Sequence, residues 1–297
     1  MKFIAKGNNI LIFDISANAK INLGLEIIKK RSDNYHEVDM IMQSIDLRDN
    51  LRIILNNTGN ICVKYNNNFN INMEDDIVYR CANLFFEISK IKNTGMLIEI
   101  TKNIPIGAGL AGGSADGAGI LIGLNKIYNN FFSQQELMNI GAQIGCDVPF
   151  CIMSGTARAT GIGTALNKIN NNLNYFIVLV TPDIFISTRE AYSVFDNNNN
   201  ISQIQKINNL EHAIKNNNLK KLCENLYNKF ECLISQKNLI NKIKQEFINL
   251  GALGSCMSGS GPSVYGVFDS KNQAQICFEN LKLKYKNIFL CEINNNI

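Results

Sequence analysis

Four glycines fall within seven residues of Pro105-Ile106-Gly107-Ala108-Gly109-Leu110-Ala111-Gly112-Gly113-Ser114, a segment that runs on into Ala115-Asp116-Gly117-Ala118. Glycine loses more backbone entropy on folding than any other residue, so such a cluster is retained where bare backbone is needed. The run Met96–Ile100 before it reads as a strand, and the apolar run Ala118–Leu124 after it reads as a helix. Strand, glycine loop and helix together surround an anion with unprotected N–H groups and a helix N-terminus. The expected anion is a nucleotide phosphate, and a side chain at Gly109 would fill the space that phosphate needs.

The neighbours decide among other readings of this loop. Gly107-x-Gly109-x-x-Gly112 matches a dinucleotide fingerprint in form. That fingerprint wants an unbroken buried strand before it and an acidic residue about 20 positions on. Here Thr101-Lys102-Asn103 and Pro105 interrupt the approach, and Asn129-Asn130 stand where the acid belongs. A P-loop ends in Gly-Lys-Ser/Thr, whereas this loop ends Gly113-Ser114-Ala115. A turn used only for tight packing explains two glycines more readily than four followed by a helix.

The 297 residues suffice for one large or two medium domains, and 46% apolar content allows a sizeable core. A net charge of +4 with no block of like charge argues against nucleic acid as the main partner. No apolar run is long enough to span a bilayer; Tyr175–Val180 is strand-sized. Met1–Gly7 has neither a signal-peptide core nor an arginine-rich presequence, so a cytoplasmic location is expected. Nine cysteines without a CxxC pair, and only His36 and His212 to join them, point away from a zinc site or disulfide framework.

Ile10–Asp14 and Leu51–Leu55 read as strands, and Asp75–Lys90 as a helix with Val78, Cys81, Ala82, Phe85 and Ile88 inward. Ser133-Gln-Gln-Glu136 is a capping box for a helix reaching about Ile144, with Gly145 at its end. Asparagine clusters at 66–68, 170–172, 197–200 and 216–218 read as solvated loops. Helical segments are expected from about Glu190 to Leu250. Strands and helices alternate without a regular βαβ period, so the class is α+β, with a boundary expected near 155–172.

Three further segments carry candidate chemistry. Lys20 lies in the apolar stretch Ser16–Leu25, and a lysine there either snorkels to water or is paired. Asp147, in Gly145-Cys-Asp-Val-Pro149, is either a helix N-cap or a reactive carboxylate. Met257-Ser-Gly-Ser-Gly-Pro262 is a second glycine loop, either a structural turn or a second set of backbone donors.

Together these pieces resemble the superfamily of small-molecule kinases named for galactose, homoserine, mevalonate and phosphomevalonate. Its three motifs occur in order, at Ala19-Lys20-Ile-Asn22-Leu, at Pro105–Ser114 and at Ser258-Gly-Ser-Gly261-Pro-Ser-Val. Arg31-Ser-Asp-Asn-Tyr35-His36-Glu, Met40–Asp46 and Gly145–Phe150 narrow the resemblance to the branch acting on a methylerythritol that carries cytidine diphosphate. The match spans about Ala17 to Phe268. Rival readings are another kinase or decarboxylase of the superfamily, a nicotinamide oxidoreductase and a non-catalytic nucleotide-binding relative.

The resemblance implies an α+β fold of two domains with the active site in the cleft. Residues 1–160 would bind ATP and carry the catalytic residues; 161–297 would form a ferredoxin-like, substrate-side domain. The implied reaction moves the γ-phosphoryl group of ATP to the C2 hydroxyl of the methylerythritol, in non-mevalonate isoprenoid precursor biosynthesis. Asp147 would be the general base and Lys20 the cation beside it. Pro105 through Ala115 would wrap the ATP phosphates, Tyr35 would stack on the cytosine and His36 would bond its polar edge. Asn22 would lie near the reacting hydroxyl, with Thr188 on the substrate side. No protein-held metal site is implied; Mg2+ would arrive through the ATP phosphates, to a monomer or homodimer. Ala115 stands where many members carry a second serine, leaving Ser114 and water to serve metal or phosphate. Gly117 and Gly119 replace alanines often found there, at about 0.5–1 kcal/mol of helix stability each unless close packing uses the gap.

Overall fold

The computed structural model describes residues 2–6, 10–66, 71–197 and 204–295. Residues 1, 7–9, 67–68 and 198–200, which enter the sequence readings of the N-terminus and of two asparagine clusters, lie outside the described residues. The chain opens with β1 (Lys2–Lys6), β2 (Ile10–Lys30), β3 (His36–Leu55), β4 (Ile61–Tyr65), α1 (Ile77–Ser89) and β5 (Met96–Thr101). It continues with α2 (Gly112–Ile127), α3 (Gln134–Ala142), α4 (Val148–Met153), β6 (Thr156–Gly161), β7 (Ala165–Lys168) and β8 (Phe176–Val180). Then follow α5 (Thr188–Asp196), α6 (Ile204–Lys215), α7 (Leu219–Glu224), β9 (Tyr227–Asn228) and α8 (Lys237–Asn249). The last elements are β10 (Gly254–Met257), β11 (Val264–Phe268), α9 (Lys271–Leu281) and β12 (Ile288–Glu292).

These elements pack as two compact units. The first gathers Met1–Ala19, Leu47–Ile104 and Ala111–Met153. In it the end of β3 pairs antiparallel with β5, β5 pairs parallel with β4, and α1 through α4 pack together. Asp76 caps α1 by accepting from the amides of Val78 and Tyr79. The buried face of α1 runs Val78, Cys81, Ala82, Phe85, Phe86 and Ser89. Ile88, expected on that face, is 40% exposed, because the helical period carries burial to Phe86 and Ser89. A Cβ on Gly117 would come within 2.7 Å of Ile77 and 3.0 Å of the Cys81 sulfur, so the close α1–α2 packing uses that missing side chain. The capping box of α3 forms as expected, with both the Ser133 and Glu136 bonds present.

The second unit gathers Lys20–Asp46, Pro105–Leu110 and Ser154–Ile297. Here Val38–Gln43 of β3 pair with β6, and β6 pairs with β7. A separate antiparallel sheet has the order β10-β11-β8-β12. Counted along the chain, that is the ferredoxin-like order expected for the C-terminal part. Asn171 departs from the solvated-loop reading: it is buried and donates to Gln43 Oε1 at 2.9 Å. Asn218 caps α7 by accepting from the Lys221 amide. The helical stretch expected from 190 to 250 is interrupted by β9, which pairs parallel with Gly24 and Leu25 of β2.

Candidate active site

Lys20 sits on β2 with 4% exposure, and it is a paired lysine rather than a snorkelling one. Its ammonium donates to Asn22 Oδ1 at 2.7 Å and to the Gly109 carbonyl at 3.1 Å. Residues i and i+2 of a strand share a face, which is why Lys20 and Asn22 meet. The Lys20 amide donates to the Leu110 carbonyl at 3.1 Å, so the glycine loop meets β2 at Gly109 and Leu110. The second glycine loop reaches the same place. Ser258 Oγ donates to the Gly109 carbonyl at 2.9 Å and accepts from the Asn22 amide at 3.3 Å. Gly109 O thus takes two donors, as its two lone pairs allow.

Gly109 has φ +76°, and a Cβ there would lie 2.0 Å from the Ser258 carbonyl oxygen. The missing side chain therefore makes room for the second loop's backbone, where the sequence suggested a phosphate. Gly107, at φ +63°, has open space around it. Two side chains fix the second loop. Asn228 Nδ2 donates to the carbonyls of Met257 at 2.7 Å and Gly259 at 2.8 Å. Glu231 Oε1 accepts from the Met257 amide at 2.8 Å.

Ala111 precedes α2 in the left-handed region, at φ +58°, and no side chain caps the helix. Gly112, Gly113 and Ser114 form its first turn, followed by Ala115, which is buried. Backbone amides left uncapped at a helix start suit an anion. Beneath this turn lies a charged cluster that sequence reading missed. Lys102 Nζ pairs with Asp116 Oδ2 at 2.5 Å and with Asp49 Oδ2. Asp49 Oδ1 accepts from the amides of Asn103 and Ile104, just before Pro105. Asp116 Oδ1 is buried without a partner. Burial pushes the Asp116 carboxyl up to about 7; the Lys102 charge offsets part of this and Asp49 adds to it. Burial works against the Lys102 charge, but the two carboxylates outweigh it and hold that pKa above its ordinary value.

Asp147 stands immediately before α4, half-buried, and its carbonyl accepts from the Cys151 amide at 3.1 Å. The neighbouring Cys146 thiol is pushed up by burial and by the Asp147 charge.

Tyr35 is 55% exposed at the end of the turn closed by the Arg31 amide on the Tyr35 carbonyl. His36 is buried, with Nε2 2.8 Å from Asp196 Oδ1. Its ring stacks on Tyr192 at 4.1 Å between centroids and 16° between planes. Thr188 Oγ1 donates to Ser260 Oγ of the second glycine loop at 2.7 Å. Tyr192 and Asp196 were not singled out from sequence. Their spacing of four and eight residues from Thr188, one helix face, was the available signal.

The family description "GHMP kinases N terminal domain" matches residues 76–155, and "GHMP kinases C terminal" matches 210–287. A 4-diphosphocytidyl-2-C-methyl-D-erythritol kinase of Clostridium novyi (strain NT) is 42% identical over 278 residues, 92% of this chain and 97% of the relative. A kinase of the same name from Clostridium botulinum (strain Alaska E43 / Type E3) is 43% identical over 286 residues, covering 93% and 98%. This chain belongs to the 4-diphosphocytidyl-2-C-methyl-D-erythritol kinase family of GHMP kinases. A crystal structure of a 4-(cytidine 5'-diphospho)-2C-methyl-D-erythritol kinase matches with TM-score 0.75 and 24% identity, covering 96% of this chain and all of that one. A homoserine kinase from Cytophaga hutchinsonii matches with TM-score 0.77 at 18% identity, covering 100% and 98%. The fold is thus common to the GHMP kinases, and sequence identity separates this family from the others.

Proposed function

We propose that this chain transfers the γ-phosphoryl group of ATP to the C2 hydroxyl of 4-diphosphocytidyl-2-C-methyl-D-erythritol, releasing ADP and the 2-phosphate. Identity above 40% to kinases of that name, over more than nine-tenths of the chain, carries the reading. The geometry around Lys20 supports it. Phosphoryl transfer asks for positioning and charge stabilisation with little covalent work from the protein. Lys20, oriented by Asn22 and Gly109, supplies a fixed cation for the charge that develops on the transferring group. Pro105 through Ala115, with the uncapped start of α2, supplies amide donors to the ATP phosphates.

In this reading Asp147 accepts the C2 hydroxyl proton as the oxygen attacks. Asn22 orients that hydroxyl, Tyr35 stacks on the cytosine, His36 bonds its polar edge and Thr188 lies on the substrate side. Residues 1–160 hold ATP and the catalytic groups, with 161–297 on the substrate side. Mg2+ comes with the nucleotide. Mg2+ ordinarily binds through phosphate oxygens, water and one or two carboxylates. No described helix is long and apolar enough to cross a membrane.

A coupled ADP-release assay tests the reading, with the cytidylyl substrate, mevalonate and homoserine offered in parallel. The expected outcome is turnover with the cytidylyl substrate and at most a trace with the other two. Faster turnover of mevalonate or homoserine refutes it.

A further inference from the structure

One face of α5 is devoted to His36. Tyr192 stacks on the imidazole, Phe195 meets it edge-on at 5.8 Å, and Asp196 accepts at Nε2. Asp196 closes the last turn of the helix, where a carboxylate opposes the helix dipole. Lys30 offsets this by pairing with Asp196 Oδ2 at 2.6 Å. Lys30 and then His36 hold the Asp196 carboxyl below its ordinary value, so it faces the ring as an anion.

An anionic oxygen 2.8 Å from Nε2 requires the proton on Nε2. In the neutral ring, Nδ1 is then a lone-pair acceptor. No protein hydrogen bond engages Nδ1 among the described residues, and Nδ1 is not among the buried polar atoms left without a partner. An accessible acceptor on a clamped ring discriminates between pyrimidines. Cytosine presents an exocyclic amine, a donor, where uracil presents a carbonyl oxygen, an acceptor.

We propose that Asp196 is a positioning residue that fixes the Nε2–H tautomer of His36, so that Nδ1 accepts from the substrate's exocyclic amine and the site selects cytosine over uracil. This rests on the reading that Tyr35 and His36 contact the base. Lys30 holds Asp196 in place and ionised, and Tyr192 holds the plane of the ring. A carboxamide at 196 has the same shape but can donate to Nε2, which moves the ring proton to Nδ1 and reverses what the ring offers the base.

The chain contains two histidines, His36 and His212, so 15N-histidine labelling yields two ring systems, and His212→Gln assigns them. In the wild-type protein the His36 spectrum should show a protonated Nε2 and a bare Nδ1. Asp196→Asn should shift the proton toward Nδ1, and Asp196→Glu should keep it on Nε2. Kinetics should follow the spectra. Asp196→Asn raises KM for the cytidylyl substrate about 5- to 150-fold, the range for an unmatched buried polar group. Its preference for cytosine over the uracil analogue falls by a similar factor, while KM for ATP holds. A wild-type His36 protonated at Nδ1, a tautomer unmoved in Asp196→Asn, or unchanged base selectivity in a variant that still turns over would each overturn the inference. Failure of the wild-type protein to phosphorylate the cytidylyl substrate would instead refute the kinase reading, and the spectra of the same samples would still decide what Asp196 does to His36.

Discussion

Gly107 and Gly109 both lie at positive φ in the first glycine loop, yet alanine should harm them unequally. At Gly107 the added methyl meets open space, so the loss is the left-handed penalty of about 1–2 kcal/mol. At Gly109 the methyl would sit 2.0 Å from the Ser258 carbonyl oxygen and 3.1 Å from the Gly261 nitrogen. Both are backbone atoms and no rotamer relieves the contact. Overpacking adds about 1–3 kcal/mol, and losing the Ser258 Oγ bond adds about 0.5–1.5 kcal/mol. Gly109→Ala should therefore be less stable than Gly107→Ala by about 1.5–4.5 kcal/mol, a large part of a typical 5–15 kcal/mol. Urea unfolding of the two variants, followed by circular dichroism, measures the difference. Gly109→Ala should also weaken ATP more, because Lys20 shares the Gly109 carbonyl. Equal losses at both positions would refute the idea that Gly109 exists to let the two loops meet.

Asp147→Asn should lower kcat about 10²–10⁴-fold with ATP affinity retained; a variant keeping more than about a tenth of wild-type kcat, far above that range, would make Asp147 a helix cap alone. Tyr35→Ala should raise KM for the cytidylyl substrate about 5- to 150-fold by loss of stacking, with KM for ATP little changed; equal damage to both would assign Tyr35 to the fold. Gly119→Ala should stabilise by about 0.5–1 kcal/mol, since its methyl meets Ala17 and Leu51 at ordinary distances of 3.4–3.6 Å, whereas Gly117→Ala should destabilise; thermal melts that rank them the other way would refute the packing argument. The Asp116 carboxyl keeps its proton to about 7 in the fold but releases it near 3.8 when unfolded, so its contribution to stability falls as pH rises through that window. Asp116→Asn should remove this slope, and a wild-type-minus-variant stability that is flat from pH 4 to 7 would contradict it.

The parts most legible in the sequence were those with local signals. The Ser133 cap, the helix within Asp75–Lys90 and the glycine loop between β5 and α2 all lie within a few residues of the features that announce them. The long strands were not legible at full length. Residues 19–26 of β2 alternate apolar with polar or glycine as a half-exposed strand would, yet both faces are buried, so the alternation misreports Lys20, Asn22 and Glu26 as solvent-facing. Ile10–Asp14 and Leu51–Leu55 are fragments of strands of 21 and 20 residues. Contacts across large sequence gaps were hidden for another reason. Ser258 and Gly109 are 149 residues apart, and His36 and Asp196 are 160 apart. Nothing in either local segment names its partner.

The interleaving of the two units has a consequence for how the chain is made. The first unit has all its residues once Met153 has left the ribosome, whereas Lys20–Asp46, synthesised early, belongs with segments that follow Ser154. Synthesis proceeds at about 5–20 residues per second. The apolar stretch Ile21–Ile27 and the first half of β3 thus wait several seconds for β6, β9 and the C-terminal sheet. During that interval β2 and β3, which pair with each other, leave open the edge of β3 that β6 later takes, and an open strand edge invites pairing with another chain.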